Sequence, residues 1–206
     1  TWEREKALQF LNLSHEMRVI LFFGGSQGAE SINHALYAIL PDLLKQFQVI
    51  HITGQHNLDE AKQTFNDLAA EIQKRYHPSA YLHSEEQAAA FTAADLVVSR
   101  AGAAILGEYP IFGLPAILVP YPHAWQYQQR NAKYLENHGA AIMLKDADLK
   151  TMLAETINNL FDHPDQLHAM QAAMRSLSNP QAAQYIARLL LDLVEKNNHA
   201  PKGGLL

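Results

Sequence analysis

Arg18-Val19-Ile20-Leu21-Phe22-Phe23-Gly24-Gly25-Ser26-Gln27-Gly28-Ala29 decides the fold. Its first half is a short run of consecutive apolar residues, rich in β-branched and aromatic types. That is the pattern of a strand covered on both faces in a parallel sheet. Its second half is a glycine turn, and a helical pattern runs on from Ala29 to Leu44. Strand, turn and helix in this order open a βαβ unit.

The same alternation recurs along the chain. Strand-like runs lie at Gln48–Thr53, Asp95–Ser99, Pro115–Pro120 and Ala140–Leu144, and Tyr81–His83 reads as a further short strand. Between them the spacing predicts helices over Leu58–Arg75, Glu85–Ala93, Ile105–Phe112 and Gln126–Asn137. Right-handed crossovers then give an α/β fold, an open parallel sheet flanked by helices. After Leu144 the pattern is helical only: Leu149–Phe161, Asp165–Leu177 and Pro180–Lys196, separated by His163-Pro164 and Asn179-Pro180. The last helix sets Ile186, Leu189, Leu190, Leu193 and Val194 on one stripe. The 206 residues are expected to form one domain over 1–197, with a flexible tail at 198–206.

Composition excludes several classes. Sixteen Lys and Arg against 21 Asp and Glu give a formal charge of −5, with no basic run, so a nucleic-acid partner is not expected. Without cysteine there is no disulfide framework, thiolate zinc site or cysteine nucleophile. The apolar runs fall well short of the ~20 residues a bilayer span requires. His51, His56, His77 and His83 lack metal-ligand spacing, so neither metal nor cofactor is expected. Thr1-Trp2-Glu3-Arg4 has no initiator methionine and is no signal peptide, which suggests a piece of a longer chain.

In a parallel α/β sheet, ligands meet the loops that leave the carboxyl ends of the strands. Three such loops carry chemistry. Gly25, Ser26, Gln27 and Gly28 form a turn that lets backbone approach a ligand, and the following helix offers free N–H groups to an anion. The spacing matches neither G-x-G-x-x-G nor a Gly-Lys-Ser/Thr loop, so a ligand-free βα turn is equally compatible. Ser99-Arg100-Ala101-Gly102-Ala103 repeats the arrangement, and Glu108 follows on the next helix, where a carboxylate could accept both hydroxyls of a vicinal diol. By itself a solvated surface glutamate is the commoner reading. Val119-Pro120-Tyr121-Pro122-His123 closes a strand ahead of Gln128 and Gln129, whose amides suit sugar hydroxyls. His123 reads as a helix cap, and Asn131 as a partner for nearby backbone.

Taken together, Gly-Gly-Ser-Gln-Gly-Ala, Ala-Asp-Leu-Val-Val-Ser-Arg-Ala-Gly-Ala with Glu108, Gly-Leu-Pro-Ala-Ile-Leu-Val-Pro and the Gln-x-x-Asn-Ala of Gln128 to Ala132 resemble the MurG family. Those enzymes are bacterial transferases that move N-acetylglucosamine from UDP-GlcNAc to lipid I in peptidoglycan synthesis. The resemblance runs from about Met17 to Leu193. It implies one Rossmann-like half of a GT-B glycosyltransferase, the carboxyl-terminal half that holds the donor. The acceptor half, with its own glycine turn and catalytic histidine, has no counterpart in this chain, so no catalytic residue is expected here. The resemblance assigns Glu108 to the ribose hydroxyls and Gly25 to Gly28 to the diphosphate and sugar side. It assigns Ala101, Gly102, Ala103 and Ala104 to the α-phosphate, Tyr127 and Gln128 to the sugar, and Leu82 and His83 to the uracil. Ile105 stands where the family commonly has a hydroxyl residue, leaving backbone contacts only. Through the other half, the resemblance also implies lipid I and the cytoplasmic face of the cell membrane as peripheral partners. Two alternatives remain open: a stand-alone, non-catalytic donor-binding subunit, and a UDP-GlcNAc epimerase of the same architecture.

Overall fold

A computed structural model of the chain describes residues 2–25 and 27–199. Six strands form one sheet: β1 (Arg18–Phe23), β2 (Phe47–Ile52), β3 (Tyr76–Ser79), β4 (Leu96–Ser99), β5 (Ala116–Leu118) and β6 (Ala141–Met143). All neighbours are parallel, in the order β3-β2-β1-β4-β5-β6. The helices are α1 (Arg4–Phe10), α2 (Glu30–Leu43), α3 (Leu58–Asp67), α4 (Ala70–Gln73), α5 (Ser84–Ala93), α6 (Ile105–Phe112), α7 (Trp125–Asn137), α8 (Leu149–Asp162), α9 (Pro164–Ser176) and α10 (Ala182–His199). This is the single Rossmann-like unit expected from the strand–helix alternation.

Period-two alternation divides the core. Val19 and Leu21 of β1 pack on one face with Phe91, Tyr109 and Leu135 of α5, α6 and α7. Ile20 and Phe22 point to the other, where Leu36 and Leu40 of α2 and Leu153 and Ile157 of α8 cover them. The register then sets the rim. Ser79, Ile52, Phe23, Ser99, Leu118 and Met143 pair in one continuous row across all six strands. Every carboxyl-end loop therefore starts at the same level. Since β1 and β4 are adjacent and the connections from them run to opposite sides, a crevice opens between their loops.

Three differences from the sequence reading have physical causes. Tyr81–His83 is not a strand; it belongs to the loop that enters α5. The strand is β3, just beyond the stretch read as the Leu58–Arg75 helix, which stops at Asp67 and continues only as the four-residue α4. β3 contains Pro78, which is tolerated because β3 is an edge strand. Finally, α1 had no reading at all. It is tied to the sheet by Arg4, which together with Arg18 pairs with buried Asp95, each at 2.8 Å; Asp95 also accepts the Val19 N–H.

The α10 stripe stands in solvent, with Ile186, Leu189, Leu190, Leu193 and Val194 each more than half exposed. The helix is drawn to His199; the rest of the expected tail, residues 200–206, lies outside the described residues. Among those described, no helix is long and apolar enough to cross a membrane.

Candidate functional site

A cleft of about 1030 Å³ occupies the crevice at the rim. Its first wall is the turn between β1 and α2. Gly24 donates its N–H to Ile52 O at 3.2 Å, and Gly28 donates to Gly25 O at 3.1 Å. Gly28 (φ +77°) and Gly54 (φ +81°) pack backbone to backbone. A Cβ on Gly28 would overlap the Thr53 carbonyl, and one on Gly54 would overlap Gly28. Two glycines are thus required for the turn to lie flat against the end of β2. Gly25, Gln27 and Gly28 line the cleft, and Ser26 lies outside the described residues. Ala29 precedes α2 without a side-chain cap, so among the described residues no side chain caps the first N–H groups of α2, where Ala29, Glu30 and Ser31 line the cleft.

The second wall is the turn between β4 and α6. Buried Tyr109 donates its hydroxyl to Ser99 Oγ at 2.8 Å, fixing α6 on the strand end. Asn131 of α7 donates to Ala101 O at 3.0 Å, so its backbone partner is thirty residues away. Gly102 and Ala104 line the cleft, whereas Ala101 is buried in the core and Ala103 is exposed outside the lining. This helix too starts uncapped, at Ala104. Gly102 has an ordinary backbone, and a Cβ added there meets nothing within 4 Å. Folding leaves this glycine unexplained; a ligand lying against it would explain it.

Glu108, half-buried on α6, lines the cleft and also an adjoining pocket of about 230 Å³ formed with Ser84, Gln87, Ala88, Phe91 and Phe112. Burial pushes its carboxyl above the ordinary value of 4.5. Leu82 is buried in the core, and His83 precedes α5, its N–H donating to Glu86 at 2.8 Å. Neither lines either pocket, although Ser84 and Gln87 immediately downstream do.

The third wall is the loop between β5 and α7, which contributes Tyr121, Pro122, His123 and Gln128. Tyr121 N–H donates to Gln128 Oε1 at 2.9 Å, which leaves the Gln128 amide N–H groups for a ligand. His123 is not a helix cap: α7 starts after Ala124 without one, and His123 stands edge-on to the Tyr121 ring at 5.4 Å. Tyr127 is exposed and outside the lining.

Sequence reasoning missed an ion pair in the cleft. Arg100 pairs with Asp146 and donates to Val119 O at 3.2 Å and to Ser31 Oγ at 2.8 Å, while Ser31 donates to Asp146 at 2.7 Å. Arg100 stood in a motif, but Asp146, which follows β6, carried no local signal. Among the described lining residues Arg100 is the one permanent cation, against the carboxylates of Glu30, Glu108 and Asp146. Anion binding here falls to backbone N–H groups and helix dipoles more than to side-chain charge.

A family model described as the glycosyltransferase family 28 C-terminal domain matches residues 19–186. A UDP-N-acetylglucosamine–N-acetylmuramyl-(pentapeptide) pyrophosphoryl-undecaprenol N-acetylglucosamine transferase of Roseiflexus sp. (strain RS-1) is 39% identical over 96% of this chain and 49% of its own length. The protein of the same name from Listeria welshimeri serovar 6b is 35% identical over 94% of this chain and 53% of its own. Among solved structures, MurG of Acinetobacter baumannii superposes with a TM-score of 0.73 at 26% identity, covering 90% of this chain and 53% of that one. The chain spans about half the length of the curated relatives it matches.

Proposed function

This chain belongs to the family of glycosyltransferase family 28 C-terminal domains, and we propose on that footing that its cleft holds UDP-GlcNAc as the donor half of an inverting transferase. The longer protein would move N-acetylglucosamine to lipid I, the lipid-linked muramyl-pentapeptide, at the cytoplasmic face of the membrane.

One observation carries the reading. Two uncapped helix starts and a half-buried carboxylate share one cleft. Helix N-termini suit a diphosphate, and a carboxylate with two acceptor oxygens suits a ribose diol. In this reading Glu108 grasps the ribose, and Gly102 and Ala104 give the phosphates room and N–H groups. Gly25, Gln27 and Gly28 carry the sugar-side phosphate, and Gln128 donates to a sugar hydroxyl. The pocket beside Glu108 would receive the uracil. As the muramyl 4-hydroxyl attacks the anomeric carbon, charge gathers on departing UDP, and preorganised N–H groups stabilise it at little reorganisation cost. The general base would come from the acceptor half.

Chemical-shift mapping with UDP tests the reading. Perturbations are expected at Gly25, Gly28, Gly102, Glu108 and Gln128. Shifts confined to the opposite rim, or no uptake at millimolar UDP, would sink it. The chain alone is expected to bind UDP-GlcNAc without consuming it. A proton NMR spectrum showing an epimerised sugar after incubation with UDP-GlcNAc alone would favour an epimerase instead.

A further inference from the structure

Resting on that donor-binding reading, we infer that Arg100 positions the donor's sugar, acting through Tyr121 on Gln128 without touching the phosphates. Arg100 is an unsuitable phosphate receptor. Its charge is met by Asp146, with only 14% and 21% of the two side chains exposed, and further donors are spent on Val119 O and Ser31 Oγ. Those partners belong to the residue just after β5, the loop after β6 and the first turn of α2, so the guanidinium plane is fixed from three directions.

What the plane supports is the Tyr121 ring, 5.2 Å above it. Tyr121 stands between Pro120 and Pro122, whose rings restrict φ on either side, so the loop moves as a stiff unit. The Tyr121 N–H holds the amide oxygen of Gln128 across an exposed 2.9 Å hydrogen bond. Fixing the ring fixes that N–H, and the N–H decides where the remaining Gln128 donors lie. A sugar hydroxyl, able to accept, is the chemistry they fit. Asp146 and Ser31 therefore reach the sugar through Arg100, Tyr121 and Gln128, and the same Ser31 belongs to the first turn of α2, whose N–H groups await the diphosphate.

Calorimetric titration of the chain with UDP and with UDP-GlcNAc reads the sugar's share as the ratio of two affinities. Arg100→Gln is expected to weaken UDP-GlcNAc about 5- to 10-fold and UDP by less than about 2-fold, the loss of roughly one hydrogen bond at the sugar alone. Tyr121→Ala, at a half-exposed site that tolerates truncation, should give the same split; Tyr121→Phe, which keeps the ring face, should keep the original ratio. Added to Gln128→Ala, Arg100→Gln should cost nothing further, because both changes disable one contact. Equal losses for the two ligands, an unchanged ratio, or additive losses in the double variant would each overturn the role. Failure of the unaltered chain to bind either ligand would instead remove the donor-binding reading beneath it.

Discussion

Asn131 donates its side-chain amide to the carbonyl oxygen of Ala101 at 3.0 Å, so the middle of α7 holds the peptide from which α6 is launched. Ala101 is fully buried, and its carbonyl would lose this partner if Asn131 were truncated. Asn131→Ala is expected to cost about 1–2 kcal/mol in urea denaturation, the usual penalty for orphaning a buried acceptor. It should also weaken UDP, because the start of α6 and Glu108 move with that peptide. Loss of stability with undiminished UDP affinity would show the bond to be structural only.

Two glycines of the cleft should respond oppositely to alanine. Gly28 combines a positive φ with the Thr53 carbonyl and the Asn57 side-chain amide where its Cβ would go, so Gly28→Ala is expected to destabilise by about 2–4 kcal/mol. Gly102 has neither constraint. Gly102→Ala should leave the thermal midpoint within about 1 °C of the original while weakening UDP at least about 10-fold, because the methyl enters the space that the proposed donor site gives to the phosphates. Thermal melts paired with calorimetry separate the two. A Gly102→Ala protein that binds UDP normally would remove that residue from the site.

Where local pattern and long-range packing agreed, the fold was legible. β1 has the bounds read for it because its four central residues, Val19 to Phe22, are buried on both faces. α6, Ile105–Phe112, begins after a glycine turn and ends at Gly113, which adopts φ +61°. β3 was illegible for the converse reason: Tyr76-His77-Pro78-Ser79 has little strand pattern, and it is held by pairing with the free edge of β2 and by the buried Tyr76 side chain. The site divides the same way. Glycine turns and Glu108 announce themselves within a few residues. The Arg100–Asp146–Ser31 cluster joins positions 46 and 69 residues from Arg100, and only the sheet order brings them together.

With Glu108 as the proposed ribose ligand, donor binding is expected to depend on pH. Burial raises its carboxyl above 4.5, so the proton returns at a higher pH than for a free glutamate. The ionised form accepts two hydroxyls; the protonated form gives up part of that capacity. Affinity for UDP-GlcNAc, whose diphosphate diester does not itself titrate near pH 6, should therefore fall as pH drops from 7 toward that raised value. Glu108→Gln should lower affinity and flatten the profile, and Glu108→Ala should cost about 1–3 kcal/mol. An identical pH profile in the Gln variant would mean that another group carries the dependence.

His51 sets the domain's sensitivity to acid. The ring is fully buried on β2, with Nδ1 2.7 Å from Tyr76 Oη and Nε2 3.0 Å from Asn33 Oδ1. Asn33 spends its amide N–H on Thr53 O at 3.0 Å, so its oxygen must accept from Nε2–H, and Nδ1 accepts the Tyr76 hydroxyl. This neutral tautomer joins α2 to the end of β2, where Gly28 and Gly54 meet. Burial lowers the imidazole from 6.5 to about 3. With the folded value below the unfolded one, the unfolded chain takes up the proton first. Stability is therefore present above pH 6.5 and lost progressively as pH falls from there toward 3. At about 1.4 kcal/mol per pH unit, His51 should account for roughly 2 kcal/mol of the loss between pH 6.5 and 5. Partly buried His77 is shifted in the same direction and adds to it. Urea denaturation of the original and His51→Gln chains at both pH values isolates the contribution. The variant should lose about 2 kcal/mol less on acidification, whatever its stability at neutral pH. Parallel losses in the two proteins would mean that the ring takes its proton while folded, and the Asn33–His51–Tyr76 bonding would have to be reassigned.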